Sequence, residues 1–357
     1  MSNPIRISQS VMEGSGAYNQ HARHQTAAAS AAGQFLERAV TNLAFDHGAE
    51  PIVIADYGSS QGKNSQAPIR TAIRSLRPRL APAHPIFVYH VDQPSNDFNS
   101  LFEVLAAPES YAQGDESVFP CAIGRSFYKN VLPPNSVHVA WSSYAAVWLS
   151  KVPTPTPGDL FCSAESAPEA RTAFARQAAS DWQTFLSLRA TELRMGGCLV
   201  VALPGRDDDG KVGVENLFFK ANETLVQMID EGTLSVAERA RMVVGCYVRH
   251  KSELLAPFES GGQFQHLSLE DLAMFAVPDA AWDQYAQDGD REKLARAHAA
   301  FFRATFLPSL ASALDRSSDA AAVRAFGDRL ERGIQQGLAI NPAPLEIKAQ
   351  VIVLSKK

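Results

Sequence analysis

Short apolar runs alternate with stretches of helical periodicity along most of this chain. The runs lie near residues 51–56, 85–91, 136–141, 198–203 and 347–354, and turn residues bound them. Short runs rich in β-branched residues are typical of buried strands, and helical patterns between such runs indicate parallel strands joined by crossover helices. The pattern therefore predicts an α/β fold with a doubly wound, Rossmann-like sheet.

The pattern changes after residue 205. From residue 206 to residue 339 it is mainly helical with few strand signals, and a last strand follows. We expect a helical cap there. The chain of 357 residues is long enough for about two domains. The predicted division is an α/β core of residues 1–205 plus 340–357 and a cap of residues 206–339.

The first predicted strand ends in a glycine-rich turn. Asp56 comes at its end, Gly58 and Gly62 follow, and a helical pattern begins soon after. In open α/β sheets ligands bind outside the carboxyl ends of the strands, and glycine lets the backbone approach them closely. The spacing matches neither the dinucleotide fingerprint G-x-G-x-x-G nor the phosphate loop. The turn therefore predicts a small-molecule site that does not cradle phosphates.

Residues 58–62 also match G-x-S-x-G, the nucleophile elbow of α/β-hydrolases, with Ser60 as the nucleophile. The strand, turn and helix context fits this motif. In that fold, however, several strands and an oxyanion loop precede the elbow, whereas little more than one apolar run precedes Ser60. Hydrolysis stays an alternative at this point.

The second predicted strand ends at Asp92, roughly thirty residues after the first, which is the span of one βαβ unit. Its carboxylate could accept hydrogen bonds from the hydroxyls of a ribose, as the acid after the second strand does in dinucleotide sites. A glycine-rich turn and an acidic residue suited to ribose, without a diphosphate-binding motif, point to S-adenosylmethionine rather than NAD. A role as a turn or cap residue is the ordinary alternative for Asp92.

Composition narrows the classes of partner. The net charge of −5 argues against nucleic acid or an anionic membrane as the main partner, because both select for basic surfaces. No run approaches the ~18 apolar residues of a membrane span. The four cysteines form no C-x-x-C pair, so neither a disulfide framework nor a zinc site is indicated. We expect a cytoplasmic protein.

Several ordered blocks resemble the SABATH family of S-adenosylmethionine-dependent carboxyl methyltransferases. Residues 55–64, ADYGSSQGKN, resemble its signature A-D-L-G-C-S-S-G-P-N. Residues 92–99 resemble D-L-P-x-N-D-F-N, residues 126–138 resemble G-S-F-Y…P-x-N-S-L-H, and residues 142–153 resemble S-S-Y-x-x-x-W-L-S-x-V-P. Looser similarity at residues 12–25, 194–203 and 347–354 extends the resemblance to both ends, and it thins between residues 205 and 343.

The resemblance implies an enzyme that forms the methyl ester of a small carboxylic acid, with S-adenosylmethionine bound by the α/β core and the N-terminal segment at the substrate. The acceptor is ionised at neutral pH, so the in-line displacement requires no general base. Positioning and exclusion of water would supply the rate. The resemblance also implies a homodimer. The cap does not reproduce the metal-associated residues of some plant members, so no magnesium site is expected. N-methylation of a small heterocycle is the nearest alternative; the Ser60 hydrolase and a non-catalytic ligand-binding relative are more distant ones.

The resemblance assigns roles to individual residues. Gln25 and Trp148 would hold the acceptor carboxylate through the side-chain amide and the indole N–H, which are both donors. Tyr144 and Val147 would join them in the acceptor pocket, with Tyr144 and Trp148 on one face of a helix, a spacing that an ordinary core stripe shares. The implied cofactor contacts are Tyr18, Asp56, Gly58, Asn64, Asp92, Gln93, Ser126 and Phe127. Taken alone, Phe127 would be core and Asn64 a helix-start residue.

Two features depart from the family pattern. Many plant members carry a lysine near the N-terminal glycines, whereas here Glu13 precedes Gly14, and an acid there would repel a carboxylate if it reached the pocket. In the cap, Arg249 or His250 could bind a second carboxylate, which gives the hypothesis of a dicarboxylic or otherwise polar acceptor. Solvated surface is the alternative for both residues.

Overall fold

One mixed sheet forms the centre of the computed structural model, which describes residues 12–14, 16–44, 50–156, 158–259 and 261–357. Within those residues the strands are β1 Ile52–Tyr57, β2 Ile86–Asp92, β3 Val118–Gly124, β4 Val137–Ser143, β5 Leu193–Gly205, β6 Gln263–Phe264, β7 Leu267–Ala276 and β8 Lys348–Lys356. Their order across the sheet is β3-β2-β1-β4-β5-β8-β7-β6.

The first five strands are parallel, and the last three run antiparallel to their neighbours. The chain adds β2 and β3 on one side of β1 and then crosses to place β4 on the other side. The connections therefore reverse direction between β1 and β4. This is a topological switch point, where open α/β sheets form a crevice beyond the carboxyl ends of the strands.

Helices cover both faces of the sheet. One face packs on α2 and α3, and the other packs on α5, α6, α10 and α11, which carry most of the larger core. The described helices are α1 Ala17–His21, α2 Arg23–Thr41, α3 Gln66–Leu76, α4 Phe98–Ala106, α5 Pro168–Glu192, α6 Glu215–Asp230, α7 Val236–Arg241, α8 Lys251–Leu255, α9 Ala280–Asp288, α10 Arg291–Ala311 and α11 Ala320–Ile340. Among these helices, none combines the length and the apolar character that crossing a membrane would require.

The predicted α/β class and the five predicted strands are confirmed as β1, β2, β4, β5 and β8. The pattern missed β3, an edge strand that contains Pro120, because proline is unfavourable in strands except at such edges. It also missed β6 and β7, since Glu270 and Asp271 interrupt the apolar pattern of β7. The division into core and cap stays a prediction: β7 belongs to the predicted cap and yet pairs with β8, and residues 1–11 of the predicted core lie outside the described residues.

Candidate active site

A cavity of about 560 Å³ lies beyond the carboxyl ends of β1 to β4, at the switch point. Its volume is in the range of small-molecule sites. Four segments at the ends of strands contribute to it: the β1 turn (residues 58–62), the end of β2 and the residues after it (residues 92–96), the β3 loop (residues 125–132) and the β4 turn (residues 144–150). Residues from α1, α2, α6 and α10 close the other side.

The β1 turn is closely packed on the β4 turn. Gly58 has a φ of +86°, and a Cβ at this position would lie 2.0 Å from the Cβ of Ala145. The Gly58 N–H donates to the carbonyl of Val91 at 2.7 Å. Only glycine satisfies both the backbone angle and the close approach, so this residue fixes how near the two turns can come.

Asp92 lies on the cavity wall at the end of β2. One carboxylate oxygen accepts the N–H of Ser60 at 2.7 Å, and the other accepts the N–H of Gln93 at 2.7 Å. Removal from water raises the pKa of the Asp92 carboxyl from 3.8 to about 6, although both N–H donors favour the charged form. Each oxygen keeps a lone pair for a ligand hydroxyl.

The β3 loop carries Ser126 and Phe127 to the same wall. The Arg125 N–H donates to the carbonyl of Asp92 at 2.7 Å, which ties the start of this loop to the end of β2. Phe127 is buried, and its ring meets the ring of Phe185 edge-on at 5.9 Å. Phe127 is therefore both a core residue and a cavity residue. Core packing and a cofactor contact, the two interpretations from the sequence, are thus compatible.

Tyr18 and Gln93 also line the cavity, whereas Asp56 and Asn64 do not. The Asp56 carboxylate is buried behind the turn, where Ser65 and His90 hydrogen-bond to it. Asn64 hydrogen-bonds to the Thr26 hydroxyl. The structure therefore does not bring these two side chains to the cavity, and a contact of either with the cofactor stays a prediction.

Gln25 and Trp148 face the cavity from α2 and from the β4 turn. Gln25 is buried, and its amide nitrogen lies 3.5 Å from the Thr305 hydroxyl on α10. Within the described part of the chain, no group pairs with the Gln25 amide oxygen or the Trp148 indole N–H. A polar group of a ligand can therefore reach both side chains without displacing a protein partner.

The expectation that Tyr144 and Trp148 share a helix face is wrong, because the β4 turn is not helical. Tyr144 has a φ of +57°, and Trp148 bridges to Cys246 as an isolated antiparallel pair. The Tyr144 N–H donates to the carbonyl of Ala202 at 2.8 Å, and the Trp148 N–H donates to the carbonyl of Ala145 at 3.0 Å, three residues back as in a tight turn. Tyr144, Val147 and Trp148 nevertheless all line the cavity.

Helix α5 supports the far end of the β4 turn. Its Asp181 is buried and accepts both the N–H of Ser150 at 2.8 Å and the hydroxyl of Ser150 at 2.7 Å. The Tyr128 hydroxyl donates to the carbonyl of Trp148 at 2.7 Å. The turn that carries Trp148 is therefore held from two sides.

Buried polar atoms without a protein partner in the described residues surround the cavity. They are the Gln25 and Gln93 amide oxygens and the hydroxyls of Ser60, Ser143 and Tyr144. Buried polar groups are rarely left unpaired in native proteins. A ligand that supplies hydroxyl, amino and carboxylate groups, as S-adenosylmethionine does, would fit this set.

Aromatic rings form part of the remaining cavity wall. Phe161 and Phe218 lie 5.0 Å apart, and Phe218 and Phe306 lie 4.9 Å apart, between ring centres. Trp148 adjoins Phe306 at 6.2 Å. We call Trp148, Phe161, Phe218, Phe301 and Phe306 the aromatic cluster. The sequence analysis missed its four phenylalanines, whose one signal was the repeated Phe301, Phe302 and Phe306 within a helical stretch.

Neither Arg249 nor His250 lines the cavity. Arg249 is buried, and its guanidinium donates to the carbonyls of Ala146 at 2.7 Å and Ala178 at 2.8 Å. His250 pairs with Asp208 at 2.8 Å. The hypothesis that one of them binds a second carboxylate is therefore wrong, and so is the surface alternative for Arg249.

Glu13 does not line the cavity either. Its carboxylate pairs with Arg303 at 3.0 Å, and its backbone N–H donates to the carbonyl of Ala304 at 3.1 Å. These bonds fasten the segment that carries Met12, a cavity residue, to α10. The acid that departs from the family pattern is thus used to attach the N-terminal segment.

Two further chemistries can be compared with the site. Among the described residues that line the cavity there is no histidine to activate Ser60 as a hydrolase would need. Across the described ranges, no three side chains of the metal-binding types come together as a set of ligands. The described lining residues therefore lack the serine–histidine pair that the hydrolase alternative requires.

Comparisons with known proteins identify the family of this chain. A family model described as SAM dependent carboxyl methyltransferase matches residues 8–357. Methyltransferase LUC1 from Fusarium sp is 30% identical over 259 residues, which cover 70% of this chain and 66% of that protein. The benzoic acid/salicylic acid carboxyl methyltransferase 2 of Petunia hybrida is 28% identical over 248 residues, which cover 66% of this chain and 70% of that protein.

A solved structure has a similar fold. Loganic acid methyltransferase with SAH aligns with a TM-score of 0.78 and 22% identity, covering 97% of this chain and 98% of that one. The chain spans slightly less than two thirds, 66%, of the length of the Fusarium relative.

Proposed function

Because the chain belongs to the family of S-adenosylmethionine-dependent carboxyl methyltransferases, we propose that it forms the methyl ester of a small carboxylic acid. The observation that carries the proposal is that the donors Gln25 and Trp148 share one cavity with Gly58 and Asp92. The proposed anion site and the proposed nucleoside site would therefore lie side by side.

The cofactor would occupy the wall formed by the β1 turn and the β3 loop. Asp92 would accept the ribose hydroxyls, and Phe127 would pack against the adenine. Tyr18, Gln93 and Ser126 offer further polar contacts on the same wall. Gly58 would let the backbone approach the bound molecule.

The acceptor carboxylate would be held by the side-chain amide of Gln25 and the indole N–H of Trp148. Both groups donate, so they can orient an anion without protonating it. When bound, the cofactor supplies an electrophilic methyl group, and its transfer turns the carboxylate into a neutral ester without moving a proton. The chain has to orient the carboxylate and exclude water, which the buried donors and aromatic walls are suited to do.

The aromatic cluster would hold the body of the acceptor. Among the described lining residues the cations are Arg125 and Lys129, and both belong to the β3 loop. The aromatic cluster itself therefore offers no charge partner for a second carboxylate. We propose an acceptor with one carboxylate on an apolar body, because a further buried charge would stay unpaired there.

We also propose a homodimer that works in the cytoplasm. The assembly is supported by the resemblance to the family and by Phe119, which is 42% exposed on the edge strand β3. The location is supported by the four free cysteines, three of them buried. Light scattering of the purified protein would test the assembly, with a monomeric mass counting against it.

Transfer from radiolabelled S-adenosylmethionine to a panel of acids tests the function. The panel should contain aromatic and aliphatic monocarboxylic acids, matching dicarboxylic acids and xanthine-type amines. We expect label in a base-labile ester of an apolar monocarboxylic acid. Label in a base-stable product would favour N-methylation. The absence of both methyl transfer and cofactor binding would overturn the proposal.

A further inference from the structure

A buried charged cluster lies directly behind the cofactor wall. Tyr57, Arg189 and Glu192 are at most 1% exposed, and none of them lines the cavity. Arg189 and Glu192 stand three residues apart at the end of α5 and form an ion pair at 3.0 Å. Burying an ion pair is costly unless hydrogen bonds satisfy its remaining donors and acceptors, so the partners of this pair are informative.

Those partners are backbone groups of the β3 loop. The Arg189 guanidinium donates to the carbonyl of Phe127 at 2.9 Å and to that of Lys129 at 3.4 Å. The Glu192 carboxylate accepts the N–H of Val131 at 2.7 Å and that of Leu132 at 3.2 Å. The ion pair thus fixes four points of a loop that has no helix or strand of its own.

Tyr57 connects the same pair to the β1 turn. Its hydroxyl donates to the second Glu192 oxygen at 2.5 Å, and its ring lies 4.0 Å from the Arg189 guanidinium carbon. Tyr57 immediately precedes Gly58, and its carbonyl accepts the hydroxyl of Ser142 at 2.8 Å. The SABATH signature has leucine at this position, which offers no hydroxyl, so the link is a feature of this chain's own sequence.

We propose that Tyr57, Arg189 and Glu192 act together as positioning residues, which hold the β3 loop against the β1 turn in the geometry that binds the adenosyl part of the cofactor. A loop fixed before binding loses less conformational entropy when the ligand arrives, so the cluster acts on cofactor affinity. A merely structural role would lower the stability of the fold and leave the affinity of the folded protein unchanged.

The test compares Tyr57→Phe and Arg189→Lys with wild type. S-Adenosylhomocysteine binding is measured by calorimetry and the melting temperature on the same samples. Each variant should bind S-adenosylhomocysteine about tenfold more weakly, since each loses a hydrogen bond to a charged group. 5′-Methylthioadenosine, which lacks the amino-acid end, should lose the same factor. The KM for S-adenosylmethionine should rise by about the same factor, because the cluster acts on the proposed cofactor wall.

Tyr111→Phe is the matched control. Tyr111 is buried, its hydroxyl lies 2.7 Å from His90 Nε2, and it belongs to the core on the α3 face of the sheet. This variant should lower the melting temperature and bind S-adenosylhomocysteine as wild type does.

The inference rests on the proposed function, because it requires the cofactor in this cavity. Wild-type protein that binds no S-adenosylhomocysteine would overturn both. If the wild type binds S-adenosylhomocysteine and both variants bind it with the same affinity, while only their melting temperature falls, the inference alone is overturned.

Discussion

The backbone N–H of Ser60 donates to the carboxylate of Asp92 across 2.7 Å and thereby joins the β1 turn to the end of β2. The Asn96 side chain donates to the carbonyl of Ser60 at 2.8 Å and closes the arrangement from the other side. Ser60, the nucleophile in the hydrolase alternative, thus uses its backbone N–H, rather than its hydroxyl, to orient the Asp92 carboxylate.

Cofactor affinity should depend on pH through Asp92. Its pKa is raised to about 6, so the carboxylate is ionised above that pH and becomes protonated below it. Only the ionised form has both oxygens free to accept ribose hydroxyls. We expect S-adenosylhomocysteine binding, followed by calorimetry, to be constant from pH 7 to 8 and to weaken as the pH falls through 6.

Asp92→Asn should remove most of that dependence. The amide keeps the shape of the carboxyl group but offers one acceptor oxygen, so binding at pH 7.5 should fall about tenfold or more. A variant that keeps the full pH dependence would show that another group titrates.

Trp148→Phe should weaken acceptor binding and leave cofactor binding unchanged. The change keeps an aromatic ring and removes the indole N–H. Loss of one hydrogen bond to a carboxylate costs about 1.5–3 kcal/mol, which is roughly a 10- to 150-fold rise in the acceptor KM. Steady-state kinetics at saturating cofactor would measure it.

Trp182→Phe provides the matched control. The Trp182 indole N–H donates to the carbonyl of Leu254 at 3.1 Å, and Trp182 is buried away from the cavity lining. This variant should lose stability and keep the acceptor KM. If the two variants raise the KM alike, the N–H of Trp148 does not bind the acceptor.

Gly58→Ala should disrupt the site. The new methyl group would meet the Cβ of Ala145 at 2.0 Å, and the backbone would be held at a φ of +86°. The turns must separate to accommodate it. We expect S-adenosylhomocysteine affinity to fall more than about tenfold, in addition to a strain cost of about 1–3 kcal/mol.

Gly114→Ala separates these two effects. Gly114 has a φ of +83°, and a Cβ there would have no neighbour within 4 Å. It should lose stability through strain alone and bind the cofactor normally. Equal binding by the two alanine variants would rule out the close approach at Gly58 as the cause.

Arg249→Met should destabilise the protein without changing its preference between mono- and dicarboxylic acids. The two carbonyl acceptors of Arg249 lie on the β4 turn and on α5, and neither would keep a charged donor. We expect a loss of about 2–3 kcal/mol in the free energy of unfolding, measured with urea. A variant that specifically lost turnover of a dicarboxylic acid would contradict the buried position of this side chain.

The part of the site closest to the strands could be predicted from the sequence. Gly58 directly follows β1 and Asp92 ends β2, so local order in the sequence becomes proximity at one edge of the sheet. Ser126 and Phe127 follow β3, which the pattern missed, and were reached through the resemblance. Gln25 and Trp148 were reached through the resemblance, since an isolated glutamine or tryptophan carries no such signal.

The acceptor end could not be predicted in the same way. Phe161, Phe218 and Phe306 come from separate segments and meet only through the packing of α6 and α10 on the sheet. A phenylalanine in a helix has the same pattern whether it faces a core or a cavity. Arg249 was misassigned for a related reason, because charge predicts exposure unless the partners are known.

Helix α5 has a consequence for how new acceptors could arise. Asp181 holds the β4 turn, and Arg189 holds the β3 loop, eight residues or about 12 Å further along the same rigid rod. In the proposed site one helix would therefore set the spacing between the methyl donor and the acceptor, whereas three rings of the aromatic cluster come from α6 and α10. Substitutions at Phe218 or Phe306 can therefore change the shape of the proposed acceptor pocket while the distance between the methyl donor and the acceptor carboxylate stays the same. Acceptor selectivity can then change without a change in the reaction.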